Sequence, residues 1–160
     1  MSTVFNTSIV IPCYNEEKGI SNKEYSNFLN NNPEAFICFV NDGSKDNTLA
    51  VRKASLAPGA KVMALSSRMG SIGARESSSS WLYRASKAAL NSLMKDTSLA
   101  WAGRAICVCA HPGWVRTDMG GASADLSVQQ SVTDLRRVIE GLVPADNGSF
   151  LNHDGFSIPW

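Results

Sequence analysis

Charge of either sign is scarce in this 160-residue chain: Asp, Glu, Lys and Arg make up 18% of it, 15 basic residues against 14 acidic. No dense basic run occurs, so the electrostatic footprint that phosphate backbones demand is missing, and nucleic acid is not an expected partner. Long apolar runs are missing too. The longest, such as "FICFV" at 36–40, are strand-sized and far short of the roughly 20 residues that cross a bilayer. No basic segment followed by an apolar one stands near the N-terminus, so neither a membrane partner nor a targeting signal is expected, and the chain reads as cytoplasmic. Cys13, Cys38, Cys107 and Cys109 lie in or beside apolar runs without C-x-x-C spacing. That pattern argues for buried thiols rather than zinc ligands or disulfides, and for a reducing compartment.

What is present is an alternation. With 44% hydrophobic residues, the chain is long enough for one well-buried domain and too short for two ordinary ones. Apolar strand candidates fall at 7–13, 35–40, 61–67, 105–110 and 149–155, bounded by turn residues. Between them stand helix signals. Ser21 and Glu24 form a capping box, with Ile20 and Tyr25 spaced for a hydrophobic staple. Tyr25, Phe28 and Leu29 give that helix a buried stripe, and Asn30 to Pro33 end it. A second helix spans about 46–57 and stops at Pro58-Gly59. A third carries Tyr83 and Lys87 and continues its apolar period through Leu90, Leu93, Met94 and Trp101. A fourth opens on a second capping box, Ser127 and Gln130, with Val128, Val132, Leu135, Ile139 and Leu142 as its apolar stripe. Strands alternating with helices imply parallel βαβ units with right-handed crossovers, and so an α/β three-layer sandwich on a five-stranded parallel sheet. The expected order is 2-1-3-4-5, flavodoxin-like or Rossmann-like.

Chemistry concentrates in the C-terminal two-thirds. A tyrosine, with an ordinary pKa of about 10, becomes a useful acid near neutral pH when a cation sits one helical turn away. Tyr83 and Lys87 have that i, i+4 spacing. Ser67, at the C-terminal end of the third strand candidate, can offer a hydroxyl to a substrate carbonyl at the carboxyl edge where open α/β sheets hold ligands. As an isolated pair, Tyr83 and Lys87 would read more simply as helix-surface neighbours.

The segments "SSRMG", "YRASKAALN" and "HPGWVRTDMGG", in that order, resemble the catalytic half of the short-chain dehydrogenase/reductase family, from about Pro58 to the C-terminus. The resemblance implies that Ser67 polarises a carbonyl, Tyr83 donates the proton, and Lys87 lowers the tyrosine pKa and holds the nicotinamide ribose. Pro112, Gly113, Val115 and Thr117 would line the nicotinamide side. A possible homodimer follows as well, since that family packs the tyrosine-bearing helix across a dimer interface. The remaining parts of the family's pattern are missing. A dinucleotide site needs a glycine-rich turn after the first strand, so that the backbone can approach a pyrophosphate. Here that place reads "PCYNEEKG". None of the 12 glycines falls in G-x-G-x-x-G or in the family's G-x-x-x-G-x-G, its Asn-Asn-Ala-Gly segment is absent, and the helix before the third strand lacks its catalytic Asn.

The first fifty residues resemble something else. "SIVIPCYNEE" at 8–17 and "FVNDGSKDNT" at 39–48 are similar to the opening of a family 2 glycosyltransferase of the GT-A fold, over about residues 5–53. That resemblance places Pro12, Tyr14, Glu16 and Asp42 around a nucleotide's base and ribose. From the residues alone, Asn15 to Glu17 make a solvated turn and Asp42-Gly43-Ser44 a tight turn with a helix cap. The metal-holding Asp-x-Asp of that family occurs nowhere in the chain. The sequence therefore reads as a chimera, engineered or recombined, joined between residues 51 and 58. It forms one expected domain from two fragments, 1–57 and 58–160, with two vestigial sites, no expected cofactor and no metal. Three function classes remain open: a folded protein without specific activity, a weak NAD(P)-dependent oxidoreductase, and a nucleotide or nucleotide-sugar binding module.

Overall fold

The computed structural model describes residues 7–13, 27, 30, 31, 35–41 and 59–160, with backbone only for 7–13 and 35–41. The chain divides into two compact units, Met1–Leu56 and Ala57–Trp160. In the first, β1 (Thr7–Cys13) pairs in parallel with β2 (Ala35–Asn41), in register from Thr7 opposite Ala35 to Cys13 opposite Asn41. Pro12 lies inside β1, opposite Val40, rather than closing it. Asn27, Asn30 and Asn31 have helical backbone and are exposed. The Ser21–Glu24 capping box, the Tyr25, Phe28 and Leu29 stripe, the helix at 46–57, and Tyr14, Glu16 and Asp42 lie outside the described residues.

The second unit is β3 (Ala60–Leu65), α1 (Trp81–Ala100), β4 (Ala105–His111), α2 (Val128–Gly141) and β5 (Phe150–Asn152). The three strands form a parallel sheet in the order β3-β4-β5. β4 is the middle strand, and Ala105 to Ala110 are all buried, the unbroken burial expected of a parallel strand covered on both faces. Against it pack Leu90, Met94 and Trp101 from α1, as the helical period requires, each burial contributing roughly 1.5–3 kcal/mol. Leu93 departs from that stripe at 43% exposed.

Four expectations need correction. β3 ends at Leu65, and Ser67 instead caps a 3-10 turn, Arg68–Gly70, its Oγ accepting from the Met69 amide at 3.2 Å. Pairing with β4 stops one residue beyond the strand, where the Ser66 amide donates to Ala110. β5 ends at Asn152 rather than 155, because Gly155, at φ 91°, folds the chain back: its amide reaches Asn152 O, and Ile158 N then returns to Phe150 O. On α2, Val128 and Val132 are exposed, while Ser131, Asp134 and Ile139 are buried. The capping box there is half formed. Ser127 Oγ accepts from the Gln130 amide at 3.1 Å, but the Gln130 side chain turns to Asp134. Cys107 and Cys109 are free, buried thiols, and burial pushes them up to about 11 and about 12. Among the described residues no helix is long and apolar enough to cross a membrane.

Candidate functional site

The carboxyl edge of β3 and β4 brings together two of the three sequence-derived segments. Gly70 is the device that joins the first to α1: a Cβ there would lie 2.7 Å from the Lys87 carbonyl carbon and 2.8 Å from Lys87 Cβ, so only glycine lets the Ser67 turn close on the helix at this point. Arg84 reinforces the contact through a bond from Nη1 to Met69 O at 3.5 Å. Ser67 itself is buried. Tyr83 and Lys87 are both half-buried on α1, and the Lys87 ammonium sits 5.9 Å from the Tyr83 ring centroid while donating to Leu65 O at 3.4 Å. A hydroxyl, a phenol and an ammonium on one short turn and one helix face can bind and protonate a carbonyl oxygen.

The third segment follows β4. Gly113, at φ 83°, has the Leu126 methyl and the His153 ring edge against the place a Cβ would take. The Pro112 carbonyl accepts from Ser131 Oγ on α2 at 2.6 Å. Val115 bridges to Leu126, so the loop folds back on itself, with Arg116 N to Leu126 O at 2.9 Å and Leu126 N to Trp114 O at 3.0 Å. Thr117 Oγ1 is engaged within that loop, accepting from the Gly120 amide at 3.1 Å.

Sequence reasoning passed over the polar cluster behind this turn. Asp134, buried on α2, pairs with His153 Nδ1 at 3.1 Å, with Gln130 at 3.0 Å and with Arg137 at 3.5 Å. The Gln130 hydrogen bond leads, with His153 and Arg137 adding to it, in holding the Asp134 carboxyl below the usual range. His111, the last residue of β4, has a buried Nδ1 without a hydrogen-bond partner among the described residues. Burial first, then His153 and Arg68, pushes its ring down to about 4. A buried aspartate at helical spacing from a buried serine was the available signal; the partners, 19 residues away in each case, were not.

A nicotinamide dinucleotide is the group the short-chain dehydrogenase pattern implies, and of the residues it points to, those after β4 lie among the described residues. On its nicotinamide side, Thr117 is committed to its own loop and Leu126 covers Gly113.

Comparison with known proteins finds likenesses to two families. The family model of glycosyl transferase family 2 matches residues 8–80, continuing past residue 57 into β3 and the loop beyond it. A stretch of more than three-fifths of the chain, overlapping that match, resembles the short-chain dehydrogenase and carbonyl reductase proteins. The C-signal protein of Myxococcus xanthus is 42% identical over 101 residues, covering 62% of this chain and 61% of its own. The 1-hydroxy-2-glutathionyl-2-methyl-3-butene dehydrogenase of Rhodococcus sp. (strain AD45) is 33% identical over 119 residues, covering 71% of this chain and 52% of its own. This chain thus spans only about half to three-fifths of the length of these relatives. Among solved structures, the NADPH-bound carbonyl reductase from chicken fatty liver superposes with a TM-score of 0.66 over 99% of this chain and 100% of that one, at 22% identity. That likeness shows the fold: α/β, Rossmann-like, with a parallel sheet.

Proposed function

We propose that the chain is a chimera of a glycosyltransferase-type opening and the substrate-activating half of a carbonyl reductase, without NAD(P)H-dependent turnover above background. The observation that carries the reading is the glycosyltransferase match over residues 8–80, which occupies the part of the chain where a reductase would cradle its dinucleotide. In this reading residues 1–57 and 58–160 share one domain and one five-stranded sheet in the order 2-1-3-4-5. Ser67, Tyr83 and Lys87 keep their places as vestiges. Pro112, Gly113, Val115 and Thr117 are the remnant of a nicotinamide side, and Pro12, Tyr14, Glu16 and Asp42 the remnant of a nucleotide side. Hydride transfer needs its donor held against the substrate carbon, and most of an enzyme's advantage comes from that positioning. Glu16 and Glu17, where two phosphates would otherwise lie, add repulsion to the lost backbone contacts.

A second reading, a weak oxidoreductase using NAD(P), is favoured by the dehydrogenase relative and the NADPH-bound structural neighbour. A nucleotide or nucleotide-sugar binding module is favoured by the family match alone. One experiment separates the three: calorimetric titration of NADPH and of UDP, with a ketone reduction assay on the wild type and Tyr83→Phe. Neither ligand should bind and no ketone should be reduced. Saturable NADPH binding with turnover abolished by Tyr83→Phe would replace this reading with the oxidoreductase, and saturable UDP binding alone would replace it with the nucleotide module.

A further inference from the structure

Arg84 is a cation in an unusual place. It lies on the first turn of α1, next in sequence to Tyr83, and is only 9% exposed. A charge removed from water this far is normally met by an opposite charge. Among the described residues no carboxylate pairs with Arg84, and the first turn of α1 contains no acid. Its partners are all neutral: Nε donates to Ser79 O at 2.7 Å, Nη2 to Ser77 Oγ at 2.8 Å and Nη1 to Met69 O at a long 3.5 Å. A guanidinium carries two N–H groups on each terminal nitrogen, so one on Nη1 and one on Nη2 remain for another acceptor. The segment that holds Arg84 through Ser77 and Ser79, residues 75–80, is exposed throughout. Its nearby charges are those of Arg75 and Glu76.

We propose that Arg84 and Ser77 form an oxyanion site, in which a carboxylate or phosphate group on a small ligand bridges Nη1 and Nη2 and takes a hydrogen bond from the Ser77 hydroxyl. The planar fork of the guanidinium matches two oxygens of one anion. The weak Met69 contact is the one most readily given up, and Ser77, on an exposed segment, can turn its hydroxyl from accepting to donating. The incoming charge supplies the counter-ion that the buried cation lacks. The site stands next to Tyr83 and needs no dinucleotide, so it is independent of whether hydride transfer occurs.

The test is a titration of the full chain, labelled with 15N-arginine, with acetate and separately with inorganic phosphate at constant ionic strength, following the Arg84 Nε–Hε resonance. A saturable shift is expected with at least one of the two, and the pair of titrations tells carboxylate from phosphate. Arg84→Lys keeps the charge but loses the fork and should weaken binding roughly tenfold, about the worth of one charge-assisted hydrogen bond. Ser77→Ala, a substitution on an exposed segment that does not threaten folding, should weaken it about threefold. No saturation of the Arg84 resonance with either anion would overturn the proposal, and so would saturation with the same affinity in Ser77→Ala. If Arg84→Lys fails to fold, the wild-type resonance and Ser77→Ala still decide.

Discussion

Gly113→Ala is the substitution that most directly tests how the turn after β4 is built. Two separate penalties meet there. The first is conformational, because φ is 83° and a Cβ in left-handed backbone costs roughly 1–2 kcal/mol. The second is steric: the new methyl would overlap the Leu126 side chain and stand 3.0 Å from His153 Cδ2, and overpacking of this kind costs about 1–3 kcal/mol. Gly121 isolates the first penalty, since its φ is 77° but nothing lies within 4 Å of a Cβ there. Urea unfolding of the wild type and both variants should therefore show Gly121→Ala losing roughly 1 kcal/mol and Gly113→Ala roughly 2–5 kcal/mol. Pairing Gly113→Ala with Leu126→Ala should return part of that loss, visible as a coupling of about 1 kcal/mol in the double-mutant cycle. Equal losses for the two glycines, or no coupling to Leu126, would refute the claim that Leu126 and His153 close over Gly113.

Two further outcomes follow from buried groups. His111 has its folded value pushed down to about 4 from 6.5. The unfolded chain therefore takes up a proton on this ring that the folded chain refuses, so stability should fall as the pH drops from 6.5 to about 4 and level off below. For a half-buried ring the loss is about 2 kcal/mol, and urea midpoints measured across that range should vary less in His111→Gln. Met94→Ala, at a side chain only 3% exposed against β4, should cost about 2–5 kcal/mol in the same assay; a loss under about 1 kcal/mol would show that the α1 to β4 contact is not part of the core.

The strands and helices of residues 59–160 were legible because alternation and helical period are local signals. Leu90, Met94 and Trp101 face the sheet as the period demands. On α2 the expected stripe holds at Ile139 and Leu142, which are buried, but not in the first two turns, for the opposite reason. Its apolar period pointed to Val128 and Val132, but the buried side is set by Ser131 and Asp134, which have distant partners in the Pro112 carbonyl and His153. A hydrogen bond between residues 19 apart leaves no periodic trace in the chain. Ser67 was expected at the end of β3 but lies two residues beyond it as the cap of the following turn, where Gly70 closes against Lys87, a contact no spacing reveals. Tyr83 and Lys87 were legible as a pair because four residues on a helix guarantee proximity.

The candidate site itself separates into parts with different physical requirements. Activating a carbonyl oxygen takes a hydroxyl, a phenol and an ammonium, groups carried here by the Ser67 turn and one face of α1, which meet where Gly70 packs on Lys87. Holding a dinucleotide takes glycines after the first strand, in a stretch where this chain has "CYNEEKG". The first set depends on local packing within residues 65–87. The second depends on backbone approach, which no side chain can supply in place of glycine. On the reading proposed above, the chain keeps the acid end of a reductase without its hydride source, and turnover would be governed by the missing part, because an aligned proton donor accelerates nothing until the donor of the electron pair is fixed opposite it.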